Sequence, residues 1–353
     1  MIDPIFPLGP IHVGKGHPPL VVPEIGANHD GDEAKAARMV TALARQGARV
    51  VKFQLYTADE LVSDHDRVIA WGRADSSTRE SIGGLFARLS LSRDAIRRLH
   101  HQAQALGLVP FSTAFGEESF DFLHALGCPC FKVASSDVNH LPMLRHLGKL
   151  QTPVILSLGK STLGEAADAV ETLLSAGCPH LALLHCIAEY PAPAEEMHLR
   201  SLSTLRRIFP RCVVGLSDHS TDDVVAVAAV ALGAALIEKH VTLDVDDSGP
   251  DHWFSLPIER FGRFAQSVTT AHVALGDTQK IVRQCEAQER RTSVRSLVLA
   301  RAVRAGEKLQ PEDLKIVRPG TGIAPRHLED VVGLPLAGNF PANTPLSWSM
   351  FKP

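Results

Sequence analysis

One pattern of apolar and polar positions repeats along most of the chain. Short runs rich in Val, Ile, Leu and Phe recur at 20–25, 49–55, 109–113, 130–134, 153–157, 180–186, 212–217 and 235–240. Between most of them lie segments with Ala, Leu, Glu and Arg at helical spacing, often closed by glycine. Examples are 32–45 before Gly47, 93–106 before Gly107, 117–126 before Gly127 and 163–175 before Gly177. Such spacing specifies amphipathic helices, and the glycine supplies a left-handed stop. Continuous apolar strands alternating with helices specify a parallel sheet covered on both faces. Eight units in about 260 residues favour closure into a (β/α)8 (TIM) barrel. No Gly-x-Gly-x-x-Gly follows the first strand, which disfavours an open dinucleotide-binding sheet.

Two stretches break the pattern. The connection 56–91 is long and polar and carries Trp71, Gly72, Gly83 and Gly84, as expected of a lid or mobile segment. After Gly276 the chain turns polar and charged through 277–291, a linker or exposed helix. Short strands and turns follow: 296–301, the Arg304-Ala-Gly-Glu307 turn, a helix start at 311–314, 315–318, then Pro319-Gly-Thr-Gly322. The expected division is a barrel domain over 1–280, a linker over 281–293 and a small β-rich domain over 294–353. A module of that size buries little by itself, so docking on a partner surface is expected.

Composition narrows the partners. With 36 Lys+Arg against 39 Asp+Glu, the net charge of −3 excludes a broad basic surface for nucleic acid. Aromatic residues make up 5% of the chain, too few for a base-stacking platform. The longest apolar stretch, 224–237, is interrupted by Gly233 and is shorter than the roughly 20 residues a bilayer needs. The first residues are broken by Pro and Gly and carry no cleavable apolar core. Six cysteines without a Cys-x-x-Cys pair suit free, mostly buried thiols in a reducing compartment. A soluble, cytoplasmic protein with no membrane partner is expected.

Barrels of this kind place their chemistry at the carboxyl ends of the strands. Those ends read Glu24-Ile-Gly-Ala-Asn-His29, Lys52-Phe-Gln54, Ser112-Thr113, Lys132-Val-Ala-Ser135, Ser157, His185-Cys186 with Tyr190 beyond, Ser217-Asp218-His219 and Glu238-Lys239-His240, with Gly249-Pro-Asp251-His252 following. Lysines are seldom buried unpaired, so Lys52 and Lys132 within apolar strands need a reason. Two ammonium groups converging with Ser and Thr hydroxyls form a phosphate or carboxylate site. A Lys–Glu pair inside the barrel, with Glu24 or Glu238 as partner, is the structural alternative. His219 and His240 end adjacent strands, where two imidazoles with carboxylates nearby suit a divalent metal with positions left open.

Taken together, these motifs resemble the bacterial sialic acid synthases, the phosphoenolpyruvate-dependent nonulosonate synthases. The resemblance rests on Glu24-Ile-Gly-Ala-Asn-His-Asp-Gly31, Val51-Lys-Phe-Gln54, Phe131-Lys-Val-Ala-Ser135, Leu184-His-Cys186 with Tyr190-Pro191, Gly215-Leu-Ser-Asp-His219, Ile237-Glu-Lys-His240 and Gly249-Pro-Asp-His252. Arg295-Ser-Leu297, Arg304-Ala-Gly-Glu307 and Arg318-Pro-Gly-Thr-Gly322 resemble that family's C-terminal antifreeze-like (SAF) domain. The family condenses phosphoenolpyruvate with an N-acyl hexosamine such as N-acetylmannosamine. By this resemblance Lys52, Thr113, Lys132, Ser135, Ser157 and Ser217 hold phosphoenolpyruvate, and His219 and His240 bind Mn²⁺ (or Mg²⁺ or Co²⁺). Glu24 and Glu238 orient water or handle protons, and Asp137 stands where the family carries a catalytic Glu. Gln54, Tyr190 and Asp251 contact sugar hydroxyls. Arg318 reaches the N-acyl group from the partner subunit of a domain-swapped homodimer.

Some positions depart from the family pattern. Ser135-Ser136-Asp137 replaces Ser-Gly-Glu, Ser112-Thr-Ala-Phe115 replaces Ser-Thr-Pro-Phe, Ser157-Leu-Gly-Lys160 replaces Ser-Thr-Gly-Met, and Ile187-Ala188 replaces a polar pair. They bear on the acceptor and the rate more than on the reaction class. Lys160 motivates a phosphorylated or 2,4-diacylamino acceptor, and Ile187-Ala188 with Asp137 a barrel that binds phosphoenolpyruvate or sugar without turnover.

Overall fold

All eight apolar runs become parallel strands of one closed sheet in the computed structural model, which describes residues 4–72 and 77–351. The strands are β1 (Leu20–Glu24), β2 (Val50–Leu55), β3 (Val109–Ala114), β4 (Phe131–Val133), β5 (Val154–Ser157), β6 (Leu181–Cys186), β7 (Val213–Asp218) and β8 (Leu236–Thr242). Each pairs with its neighbours in sequence, and β8 returns to β1 with Leu236 opposite Leu20 and His240 opposite Glu24. Eight helices follow the strands: α1 (Glu33–Arg45), α2 (Arg93–Ala105), α3 (Glu117–Ala125), α4 (Leu141–Lys149), α5 (Leu163–Ser175), α6 (Ser201–Ile208), α7 (Asp223–Ala231) and α8 (Ile258–Leu275). The fold is a TIM barrel.

Local chemistry explains the helix starts. Asp32 accepts from the Ala34 N–H, Ser92 from Ala95 and Asp222 from Val224, each satisfying a free donor of the first turn. Thr162 and Glu165 form a reciprocal capping box at α5. Strand alternation then sorts the side chains. Phe53 and Phe131 point outward, Phe53 against His100 of α2 and Phe131 edge-to-face on Phe120 of α3. Lys52, Thr113 and Lys132 point inward.

The barrel floor is sealed by a hairpin, Ile5–Leu8 with Ile11–Gly14, that periodicity did not reveal. Phe6, Leu8 and Val13 are fully buried in the main core. Gly14 takes φ +130°, and a Cβ there would sit 2.5 Å from the Pro4 carbonyl, so only glycine fits. The described residues of the 56–91 connection form regular elements despite their polarity. It holds a short helix (Ala58–Leu61), a hairpin (Val68–Trp71 with Thr78–Ser81) and a helix (Ile82–Leu89). Leu85 and Leu89 pack with Ala27, with Ile69 and Trp71 against them. Strands of four residues with largely exposed side chains leave too little alternation to read.

The chain separates into compact units at 1–276 and 277–353. The second has its own small core of Leu297, Leu299, Val303, Leu309, Ile323, Val331, Leu336, Leu346 and Met350. It is built on the antiparallel pair β9 (Ser296–Leu299) and β10 (Leu314–Val317). Within 281–293, expected as a linker, Ala287–Ser293 forms an exposed helix.

Candidate active site at the barrel mouth

Strand register brings the charged strand ends into one ring. Glu24 lies opposite Lys52, Thr113 opposite Lys132, Ser217 opposite Glu238 and His240 opposite Glu24. Lys52 is buried and its ammonium stands 2.9 Å from Glu24 Oε2 and 3.3 Å from Glu238 Oε1, while donating to Thr113 Oγ1 at 2.9 Å. Lys132 lies 4.0 Å from Glu238 and donates to the Val133 carbonyl. The Lys–Glu pairing held as the alternative is therefore present, on the same residues from which an anion site was expected.

Two acids and two ammonium groups in one buried ring titrate against each other. Burial pushes Glu238 up, but Lys132 and Lys52 outweigh it and hold the carboxyl down at about 2. Glu24 moves the other way, raised by burial and by the charge of Glu238 against the pull of Lys52. Burial favours neutral Lys52, yet the two carboxylates together raise it. Lys132, with a more distant counter-charge, is lowered by burial. Gln54 donates to Glu24 Oε1 at 2.8 Å, and Ser217 donates to Glu238 Oε1 at 3.2 Å. One carboxyl is thus inclined to keep its proton and the other to lose it.

His219 and His240 stand with ring centroids 5.5 Å apart. Burial lowers His219 to about 4 and His240 well below its ordinary value, so both are neutral near pH 7 with a lone pair to offer. The carbonyl of Ile187 lies 2.8 Å from His219 Nδ1, which fixes that nitrogen as donor and leaves Nε2 as acceptor. His240 Nδ1 is buried without a hydrogen bond and faces Asp251 Oδ2 at 3.4 Å. Gly26 makes room for this ring, since a Cβ there would sit 3.1 Å from His240 Nδ1. Burial and the nearby Glu24 charge push Asp251 up to about 6.

Other residues singled out from the sequence surround this ring. Tyr190 lies tilted against His219, ring centroids 4.2 Å apart, and keeps 43% of its surface exposed. Ser157 Oγ is buried without a partner, and Ser135 Oγ accepts from the Gly159 N–H. Asp137 sits in the turn after β4, half-buried, its carboxyl raised by burial. Ser112 does not join them; it faces outward and meets His100 at 2.9 Å. Arg318 belongs to the second unit, where it is exposed before a cis proline.

Three features escaped the sequence reading. Phe254 walls the site, 5.6 Å from His240 and 5.3 Å from Tyr190. Asn28 is fully buried and donates to the Val241 carbonyl and to Ser255 Oγ. Asp30, Asp247 and His252 form the one set of three metal-type donors found among the described residues. Lys35 already serves both carboxylates, at 2.5 and 2.7 Å, so an ammonium stands where an ion would. The signal for this last set was Lys35, a lysine on the buried face of α1.

Residues 39–280 match the family model of the NeuB family, and 294–352 match that of the SAF domain. The chain belongs to the NeuB family. It is 35% identical to N,N'-diacetyllegionaminic acid synthase of Legionella pneumophila over 93% of each chain. It is 31% identical to pseudaminic acid synthase of Helicobacter pylori, covering 94% of this chain and 97% of that one. Among solved structures, the N-acetylneuraminic acid synthetase of Leptospira borgpetersenii, crystallised with citrate, superposes with a TM-score of 0.72 at 26% identity. That match spans 81% of this chain and 95% of the other. The NeuB-family chain is an enzyme of the synthase type, a barrel followed by a SAF domain. None of its described helices is long and apolar enough to cross a membrane.

Proposed function

We propose that the chain condenses phosphoenolpyruvate with an N-acyl hexosamine, N-acetylmannosamine or a related sugar, to give a nonulosonic acid and phosphate. The observation that carries this reading is the buried ring of Lys52, Lys132, Glu24 and Glu238 beside the His219–His240 pair. Lys52 and Lys132 neutralise the phosphate and carboxylate, with Thr113, Ser135, Ser157 and Ser217 as hydroxyl partners. The orphaned Ser157 Oγ supports that use.

The donor set fits a divalent ion. Two neutral imidazoles, one with its far nitrogen fixed by a carbonyl, suit Mn²⁺, with Mg²⁺ or Co²⁺ as alternatives. Bound there, the ion supplies Lewis-acid polarisation of the sugar aldehyde. The methylene carbon of phosphoenolpyruvate forms the new bond to the aldehyde carbon, and water adds at the adjacent carbon that bears the phosphate. The bond from that carbon to the phosphate oxygen then breaks as its hydroxyl proton passes to the departing phosphate, leaving a ketone. Glu238, held ionised, accepts a proton from that water, and Glu24, inclined to stay protonated, donates to the new hydroxyl. Asp137, at the strand-four turn, helps orient the water. Gln54, Tyr190 and Asp251 position the sugar hydroxyls.

The working unit in this proposal is a domain-swapped homodimer in the cytoplasm, with Arg318 of the partner subunit's SAF domain closing on the N-acyl group. Phosphate release requiring phosphoenolpyruvate, sugar and metal together, across a panel of free, phosphorylated and 2,4-diacylamino hexosamines, tests the reaction. We expect His219→Ala or His240→Ala to lower turnover at least a hundredfold and chelator to do the same. Undiminished turnover in either variant overturns the metal assignment.

A further inference from the structure

The first and last strands meet at a seam, and the loops that follow them are laced together above it. After β1, Asn28 spends both amide hydrogens across the seam, on the Val241 carbonyl and on Ser255 Oγ, each at 2.8 Å. Ser255 passes its own proton to the Asp251 carbonyl at 2.6 Å. Both ends of this relay are carbonyls that can only accept, so the direction of every bond is fixed and the amide cannot flip. Asn28 is fully buried and Ser255 nearly so. A second tie runs alongside, from Asp30 to His252 at 3.1 Å and through Lys35 to Asp247. Between the two ties sits Asp251, whose carboxylate lies 3.4 Å from His240 Nδ1.

We propose that Asn28 and Ser255 are positioning residues: their relay fixes the main chain at Asp251, and so aims its carboxylate at the His240 edge where the sugar acceptor binds. This rests on the acceptor role given to Asp251 above. None of the hydrogen bonds of this relay involves Lys52, Lys132, Glu24 or Glu238, so phosphoenolpyruvate binding is expected to be independent of it. A loop carrying a hydrogen-bonding carboxylate gains nothing from rigidity unless the angle at which that carboxylate meets the acceptor matters.

The test uses Ser255→Ala, which removes one hydroxyl without adding volume, and Asn28→Asp, which puts an acceptor where two donors are needed. Hydrogen exchange of the 247–257 segment is read first, with thermal melting of each variant. Exchange there is expected to quicken about tenfold while the other barrel segments stay protected. In kinetics, Ser255→Ala is expected to raise the acceptor KM about tenfold, leaving the phosphoenolpyruvate KM and kcat within twofold, the size expected for one orphaned buried donor. Ser255→Thr, which keeps the hydroxyl, should restore the acceptor KM. In an Asp251→Ala background, Ser255→Ala should have no further effect. Unchanged exchange at 247–257, or a Ser255→Ala penalty that persists without Asp251, overturns the proposal. Absence of turnover by the unmodified enzyme with every acceptor would instead sink the condensation, and the exchange result would still decide the relay.

Discussion

Removing the charge of Glu238 should cost stability in a way that depends on pH, with a sign set by the ring around it. The carboxyl ordinarily titrates at 4.5 and in the fold at about 2, because Lys132 and Lys52 overcome its burial. A folded value below the unfolded one means the stabilisation is present above about pH 4.5 and is lost as pH falls toward 2. At about 1.4 kcal/mol per unit, the group contributes about 3 kcal/mol at neutral pH. Near pH 3 the unfolded carboxyl is almost wholly protonated while the folded one is still ionised, and about 2 kcal/mol of that contribution is gone. Glu238→Gln keeps the shape and removes the charge. In urea denaturation followed by circular dichroism, the variant should be about 3 kcal/mol less stable than the parent at pH 7. The gap should narrow to about 1 kcal/mol near pH 3. A gap that stays constant between those pH values refutes the reasoning, since it would mean that Glu238 stabilises by packing rather than by charge.

The six thiols should separate sharply in labelling. Burial pushes Cys128 and Cys212 up to about 12 and Cys178 to about 11, and five of the six are buried, leaving Cys285 exposed. One thiol per native chain should react quickly with an aromatic disulfide reagent, the other five only in denaturant; two or more fast thiols would contradict this burial. Phe6→Ala in the floor hairpin should cost about 3–5 kcal/mol in urea unfolding, as for other fully buried phenylalanines. A loss below about 1 kcal/mol would mean that the hairpin is not seated in the barrel core.

The barrel was legible because each strand is buried on both faces and so reads as an unbroken apolar run, with glycines marking the helix ends. The inward lysines were legible for the complementary reason: Lys52 and Lys132 interrupt runs that otherwise admit no charge. The balance among them was not. Whether Glu24 or Glu238 holds its proton depends on distances between strands β1, β2, β4 and β8, which no linear spacing encodes. Asn28 was hidden by ambiguity, because asparagine after a strand ordinarily signals a turn. Only its two bonds across the seam, to residues more than two hundred positions later, give it a different meaning. The floor hairpin was masked by Pro4, Pro7, Gly9 and Pro10, which read as breakers though Pro7 sits within a paired strand and Gly9 and Pro10 form the tight turn.

That hairpin also sets an order of events during synthesis. Its strands precede the whole barrel in the chain, yet Gly14 lies against Val213 at the start of β7, some two hundred residues downstream. Phe6 and Leu8 therefore have no complete place to go until most of the barrel has left the ribosome. Until then they stay exposed as apolar surface, the kind that chaperones bind. The hairpin's seat in the floor is complete only once β7 is in place.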